Sequence, residues 1–210
     1  MTHPAAAPSG AAPAPRQALR LVIVTDAWEP QVNGVVTTMR NTSRCLEEMG
    51  NEVTLITRQA FRSVPCPGYQ EIRLSVFAAR KVARLMEQAR PDAVHIVTEG
   101  PLGMAARAWC LRNDFPFATA CHTQFPEYIR LPAPVPTSLS YAWLQRFHRP
   151  AHTTLVRSRT QRESLTARGF GHLRLWPGAV DTDLFYPRGK GALSLPRPIS
   201  MYMGRVAVEK

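Results

Sequence analysis

Leu19–Thr25 is an almost continuous apolar run, the pattern of a strand buried on both faces. A polar loop, Ala27–Gly34, follows it. Then Val35, Met39, Leu46 and Met49 recur on one helical stripe, with Thr42 in the gap and Gly50 as a natural stop. Glu52–Thr57 reads as the next strand. Strand, loop, helix, strand is the repeating unit of a parallel sheet.

The alternation continues down the chain. The pattern predicts a short strand at Glu71–Leu74 and a helix over Val76–Ala89, with Val76, Ala79, Val82, Ala83 and Met86 inward. A strand follows at Ala93–Val97, a small-residue helix at Leu102–Leu111 and a strand at Phe117–Cys121. Pro132, Pro134 and Pro136 break the pattern before a helix over Ser138–His148. Thr153–Val156 reads as a strand, Ser158–Arg168 as a helix and Leu173–Trp176 as a strand. About seven strands alternating with helices define the fold class: α/β, a Rossmann-like doubly wound parallel sheet spanning residues 19–176.

The flanks differ from this core. Residues 1–18 are rich in alanine and proline and lack the apolar core of a signal peptide, so they read as a disordered leader. Residues 177–198, with many prolines and glycines, read as an interdomain linker. Ile199–Met203 then looks like a fresh strand, so residues 199–210 are expected to open a second domain of which only this first strand is present. A complete second α/β domain would need ~300 residues in all.

Composition narrows the class further. Hydrophobic residues make up 45% of the chain, an ordinary globular value. The sequence contains no apolar run long enough for a transmembrane helix. Cys45, Cys66, Cys110 and Cys121 form no C-x-x-C pair and suggest neither a zinc nor a disulfide framework, which favours the cytoplasm. The formal net charge is +11, and from Arg130 to Arg174 there are eight arginines against one acid, Glu163. Such a surface attracts phosphorylated or anionic partners, or is simply a solvated basic face. No nucleic-acid motif accompanies the charge, and the aromatics are not spaced as a stacking platform.

Candidate chemistry is sought at the carboxyl ends of the strands, where doubly wound sheets bind ligands. Gly34 stands where the first helix begins, a place that suits either an ordinary helix start or a phosphate approaching backbone N–H groups. Neither G-x-G-x-x-G nor a P-loop occurs; Gly189-Lys190-Gly191 has the wrong spacing. Glu99 and His122 follow two strands and are placed to face one crevice. His122 fits a hydrogen-bond donor, a general base or a structural histidine. Asp181 and Asp183 resemble a metal-binding D-x-D but fall in the linker, where capping is the better reading. Pro150 breaks the helix that would align His148 with His152. No metal site is expected.

At this point the motifs converge on a family. Thr25–Thr38, Pro67-Gly68-Tyr69 with Glu71–Leu74, Val94–Gly103, His122–Tyr128, Val180–Phe185 and Gly204–Lys210 occur in the order found in family-4 (group 1) retaining GT-B glycosyltransferases. The resemblance covers nearly all of Leu19–Lys210, and the branch with GDP-mannose-dependent α-mannosyltransferases and sulfoquinovosyl diacylglycerol synthases fits best. It implies the N-terminal, acceptor-binding domain of a two-domain hexosyltransferase.

Carried over by position, the resemblance implies that His122 acts beside the transferred sugar. Gly34, Arg205 and Lys210 would bind the donor diphosphate, while Glu99 and Asn33 would contact sugar or acceptor. It implies a nucleotide-sugar donor, GDP-mannose before a UDP-sugar, and no metal or other cofactor. The implied acceptor is a lipid or saccharide, and the setting is cytoplasmic, peripheral on the inner membrane face. Tyr141, Trp143 and Phe147 with Arg146 and Arg149 on one helix suit contact with an anionic membrane, or else an amphipathic core helix. The family pattern departs at Trp176-Pro177-Gly178, where a more polar turn is usual. The alternative reading is a catalytically inactive Rossmann-like module binding a phosphorylated ligand or anionic lipid. The family's paired-glutamate segment is absent from these 210 residues, so they alone are expected to have little or no transferase activity.

Overall fold

The computed structural model describes residues 17–66, 69–122, 136–178, 180–187, 196 and 198–202. Six strands build one sheet: β1 (Arg20–Thr25), β2 (Glu52–Thr57), β5 (Ala93–Ile96), β6 (Phe117–Cys121), β7 (Thr153–Val156) and β8 (Leu173–Leu175). Their order is β2-β1-β5-β6-β7-β8, and every pairing is parallel. The connecting helices are α1 (Gly34–Glu48), α2 (Ala78–Ala89), α3 (Pro101–Arg112), α4 (Thr137–His148) and α5 (Arg159–Ala167).

The sheet is covered on both faces, as the apolar run of β1 requires. Val22 and Val24 pack one way, with Ile56, Val94 and Ile96, against α2 and α3. Ile23 packs the other way, with Val97, Trp28 and Met39 of α1. At the far edge Cys121, Val156 and Phe170 close over Leu144 of α4 and Leu165 of α5.

Four expectations change. The strand at Glu71–Leu74 does not enter the main sheet. It lies within β4 (Tyr69–Ser75), which pairs antiparallel with β3 (Ser63–Cys66) as a separate ribbon. Arg73 is exposed and Leu74 only half-buried, which does not suit a strand covered on both sides. In α2 the buried residues are Ala78, Val82 and Met86, not Val76 and Ala79. Phe77, at a left-handed φ of 54°, delays the helix start and shifts its frame. In α1 the buried positions are Val36, Met39 and Ser43; Val35 and Leu46 pack at the margin and Met49 is exposed. The strand expected at Ile199–Met203 does not form over the described residues 199–202, where no neighbouring strand offers a ladder; Met203 lies outside the described residues.

The aromatic helix α4 is mostly a core element. Leu144, Phe147 and His148 are buried, and Tyr141 lies on the same stripe beneath the Arg168 guanidinium, 4.4 Å from its ring centre. Of its aromatics, Trp143 alone is exposed, with its ring stacked on Phe147. No helix among the described residues is long and apolar enough to cross a membrane.

Candidate active-site crevice

The order of strands reverses between β1 and β5, so a crevice opens at their carboxyl ends. Asp26, the first residue beyond β1, fastens its two lips together. Its backbone N–H donates to Thr98 Oγ1 at 2.8 Å, and the same hydroxyl donates to Asp26 Oδ2 at 2.9 Å. Asp26 also accepts from the backbone of Leu102 at 3.0 Å and Gly103 at 3.4 Å, capping α3. Burial pushes its carboxyl pKa upward, while the Leu102 N–H, the Thr98 hydroxyl and the Gly103 N–H oppose that shift.

Glycine is required on both sides of this cap. A Cβ on Gly100 would stand 2.5 Å from the Asp26 carboxylate. One on Gly103 would stand 1.8 Å from the Thr98 carbonyl oxygen.

At the start of α1, Asn33 is the N-cap. Its side-chain oxygen accepts from Val35 and Val36, both at 3.0 Å. Asn33 is therefore committed through its oxygen to the helix, whereas the expected role was contact with sugar or acceptor. Nothing lies within 4 Å of where a Gly34 Cβ would be, so the approach to this helix start is open. The preceding loop is held from beneath by Arg58, which donates to the carbonyls of Trp28 at 3.4 Å and Glu29 at 3.1 Å.

His122 follows β6. Its ring stands edge-on to Trp176 at 6.0 Å, and Trp176 meets His95 in the same way at 5.9 Å. Burial, and then the charge of Arg157, lowers the His122 pKa to about 4. Burial, and then His122, lowers that of His95 to about 4. Both rings are neutral at pH 7. His122 Nε2 is buried and has no hydrogen-bond partner among the described residues.

Glu99 turns toward α4 instead of His122. Its Oε1 lies 3.3 Å from His148 Nε2, close enough for charge pairing although not aligned as a hydrogen bond. The other nitrogen, His148 Nδ1, meets Thr119 Oγ1 at 2.9 Å, which meets Thr154 Oγ1 at 2.9 Å. The Glu99, His148 and Cys121 side-chain ligand atoms lie within 4.8 Å of one another, a set able to hold a metal. Here two of the three already face each other, and the Cys121 sulfur accepts from Gln161 Nε2 at 3.6 Å.

The structure thus brings Gly34 and His122 to the crevice and resolves Glu99 and His122 into separate partnerships. Arg205 and Lys210 lie outside the described residues. Asp181 is a capping residue, as its linker position suggests. It accepts from Asp183 N at 3.1 Å and Leu184 N at 3.2 Å, and pairs with Arg44 at 3.5 Å. Sequence reasoning missed Asp26, His148 and Arg157. Asp26 and Arg157 directly follow strands, the same signal that singled out the neighbouring loops.

Comparison with known proteins agrees with this architecture. The model of Glycosyltransferase Family 4 matches residues 32–184. The chain is 28% identical to sulfoquinovosyl transferase SQD2 of Arabidopsis thaliana, over 85% of this chain and 40% of that protein. It is 26% identical to a GDP-mannose-dependent alpha-mannosyltransferase of Mycobacterium tuberculosis, over 91% of this chain and 57% of that protein. It is 31% identical to an alpha-monoglucosyldiacylglycerol synthase of Acholeplasma laidlawii, over 52% of this chain and 31% of that protein. The chain spans about half the length or less of these relatives. With the family model covering residues 32–184, most of its length, the chain belongs to glycosyltransferase family 4.

Proposed function

We propose that the chain is the N-terminal, acceptor-side part of a retaining hexosyltransferase. It moves a sugar, mannose before others, from a nucleotide sugar to a lipid or saccharide acceptor. The observation that carries this reading is the crevice itself: an open helix start at Gly34 beyond β1 and a buried, neutral His122 beyond β6, both on the carboxyl edge of one sheet. Relatives named for GDP-mannose and for diacylglycerol glycolipids support the donor and acceptor classes.

Breaking the bond between sugar and phosphate leaves negative charge on the departing nucleotide diphosphate. The backbone N–H of Gly34, together with Arg205 and Lys210, would stabilise that charge without a metal. His122 Nε2, neutral at pH 7, is suited to hydrogen-bond the sugar as its anomeric carbon becomes cationic. Residues 177–198 would link this domain to a donor-binding one. The outward residues of α4, Leu139 and Trp143 with Arg146 and Arg149, would meet an anionic membrane. Co-sedimentation with vesicles that ignores anionic lipid content would refute that contact.

The test is turnover by the native protein immunopurified from its source cells, with GDP-mannose and UDP-glucose as donors. A native mass well above 23.4 kDa, transfer with net retention, and a loss of about 100-fold or more in His122→Ala are expected. A native product of 23.4 kDa that binds phosphorylated ligands without turnover would replace this reading with the non-catalytic module.

A further inference from the structure

Arg157 is the first residue beyond β7. Its guanidinium reaches back across the crevice to the second turn of α1, where Nη1 donates to Thr38 Oγ1 at 3.2 Å. That hydroxyl in turn donates to the Gly34 carbonyl at 2.7 Å. On its other side the guanidinium lies against Gly178, where a Cβ would stand 2.8 Å from Nη2 and 3.1 Å from Nη1. The side chain therefore spans the space between α1 and the beginning of the linker.

Among the described residues this cation is electrostatically incomplete. Arg157 is partly buried, yet no carboxylate pairs with it among the described residues. Its one described side-chain acceptor is a neutral hydroxyl, which leaves most of its five N–H donors without a described acceptor. A guanidinium withdrawn from water is costly unless an anion meets it, and its planar fork matches phosphate oxygens in pairs. The α1 N-terminus adds partial positive charge on the same side. The charge of Arg157 also contributes, after burial, to lowering the His122 pKa.

We propose that Arg157 is a phosphate-binding residue of this crevice, taking two oxygens of a phosphoryl group between itself and the open start of α1. Which phosphate it takes, the donor diphosphate or a phosphorylated acceptor, rests on the glycosyltransferase reading; that it takes one does not.

The experiment is calorimetric titration of the full chain at fixed ionic strength. Wild type, Arg157→Gln, Arg157→Lys and Arg159→Gln are compared, the last as an exposed control for the general positive charge. With pyrophosphate as probe, wild type and Arg159→Gln should bind alike. Arg157→Gln should bind about 10-fold or more weakly, and Arg157→Lys, which keeps charge but not the fork, should fall between them. GDP and glycerol 1-phosphate form the second arm. A loss confined to GDP assigns the donor, and a loss confined to the monoester assigns the acceptor. No binding by wild type, equal weakening by Arg157→Gln and Arg159→Gln, or undiminished binding by Arg157→Lys would overturn the proposal. Turnover is not read in this experiment, so its failure is separate from failure of the transferase reading.

Discussion

The Asp26 carboxylate lies against the Cα of Gly100, so close that Asp26 Oδ2 would be 2.5 Å from a Cβ there. The carboxylate occupies that space because it caps α3 and binds Thr98 at once. The loop after β1 and the loop carrying Glu99 are thereby one rigid body, although 72 residues separate Asp26 from Thr98.

The two glycines of this lock should differ in their tolerance. Gly103→Ala meets the Thr98 backbone carbonyl, which cannot swing aside, and should cost more than about 2 kcal/mol. Gly100→Ala meets a side chain, and Asp26 can turn away at the loss of its cap, about 1 kcal/mol. Urea unfolding of both variants checks the order; equal midpoints would contradict it.

Stability should fall on mild acidification. His95 and His122 have native pKa values of about 4, below the unfolded value of about 6.5. Between those values the unfolded chain binds more protons, so stability is full above about pH 6.5 and declines as pH drops toward 4. Urea midpoints measured from pH 7.5 to 4 should show this limb. Replacing His95 with Phe should flatten it; an unchanged slope would mean that His95 titrates normally.

The hydroxyl of Thr119 joins His148 to Thr154 in the core. Thr119→Val keeps the shape and strands both partners, with an expected cost of about 1–3 kcal/mol. A double-mutant cycle with His148→Phe should recover part of that cost, since the stranded nitrogen is then gone. Simple additivity would mean the two groups do not interact.

Asp92 offers a spectroscopic check at the opposite, amino end of β1. The Arg20 side chain, with Nη2 at 2.8 Å from Oδ1 and Nε at 3.1 Å from Oδ2, holds the Asp92 pKa at about 2. Its contribution is present above the ordinary carboxylate pKa of about 3.9 and is lost as pH falls through 2. In Arg20→Gln the carboxyl resonance should titrate closer to the ordinary value. A titration unchanged by that substitution would rule out the pairing.

The sheet was readable from the sequence because Val22, Ile23 and Val24 need cover on both faces, and the later strands repeat that need. The β3–β4 ribbon was not, since Ser63–Cys66 carries neither an apolar run nor clear alternation and gains its partner only in three dimensions. The positions of Gly34 at a helix start and His122 at a strand end were legible. Asn33 as a cap and Glu99 as the partner of His148 were not, because each depends on which neighbour wins a side chain. Arg157 hides for the same reason: its contact with Thr38 joins residues 119 positions apart. His148 is hidden likewise, because its partners, Thr119 on β6 and Glu99 beyond β5, are distant in the chain.

Trp176 has a mechanical consequence. Its backbone N–H is bonded to the Val156 carbonyl at 2.7 Å, and its ring is wedged against His95 and His122. The first residue past the sheet is therefore a clamped end, and two residues on the chain turns through Gly178, whose φ of 81° lets it pass close against the Arg157 guanidinium.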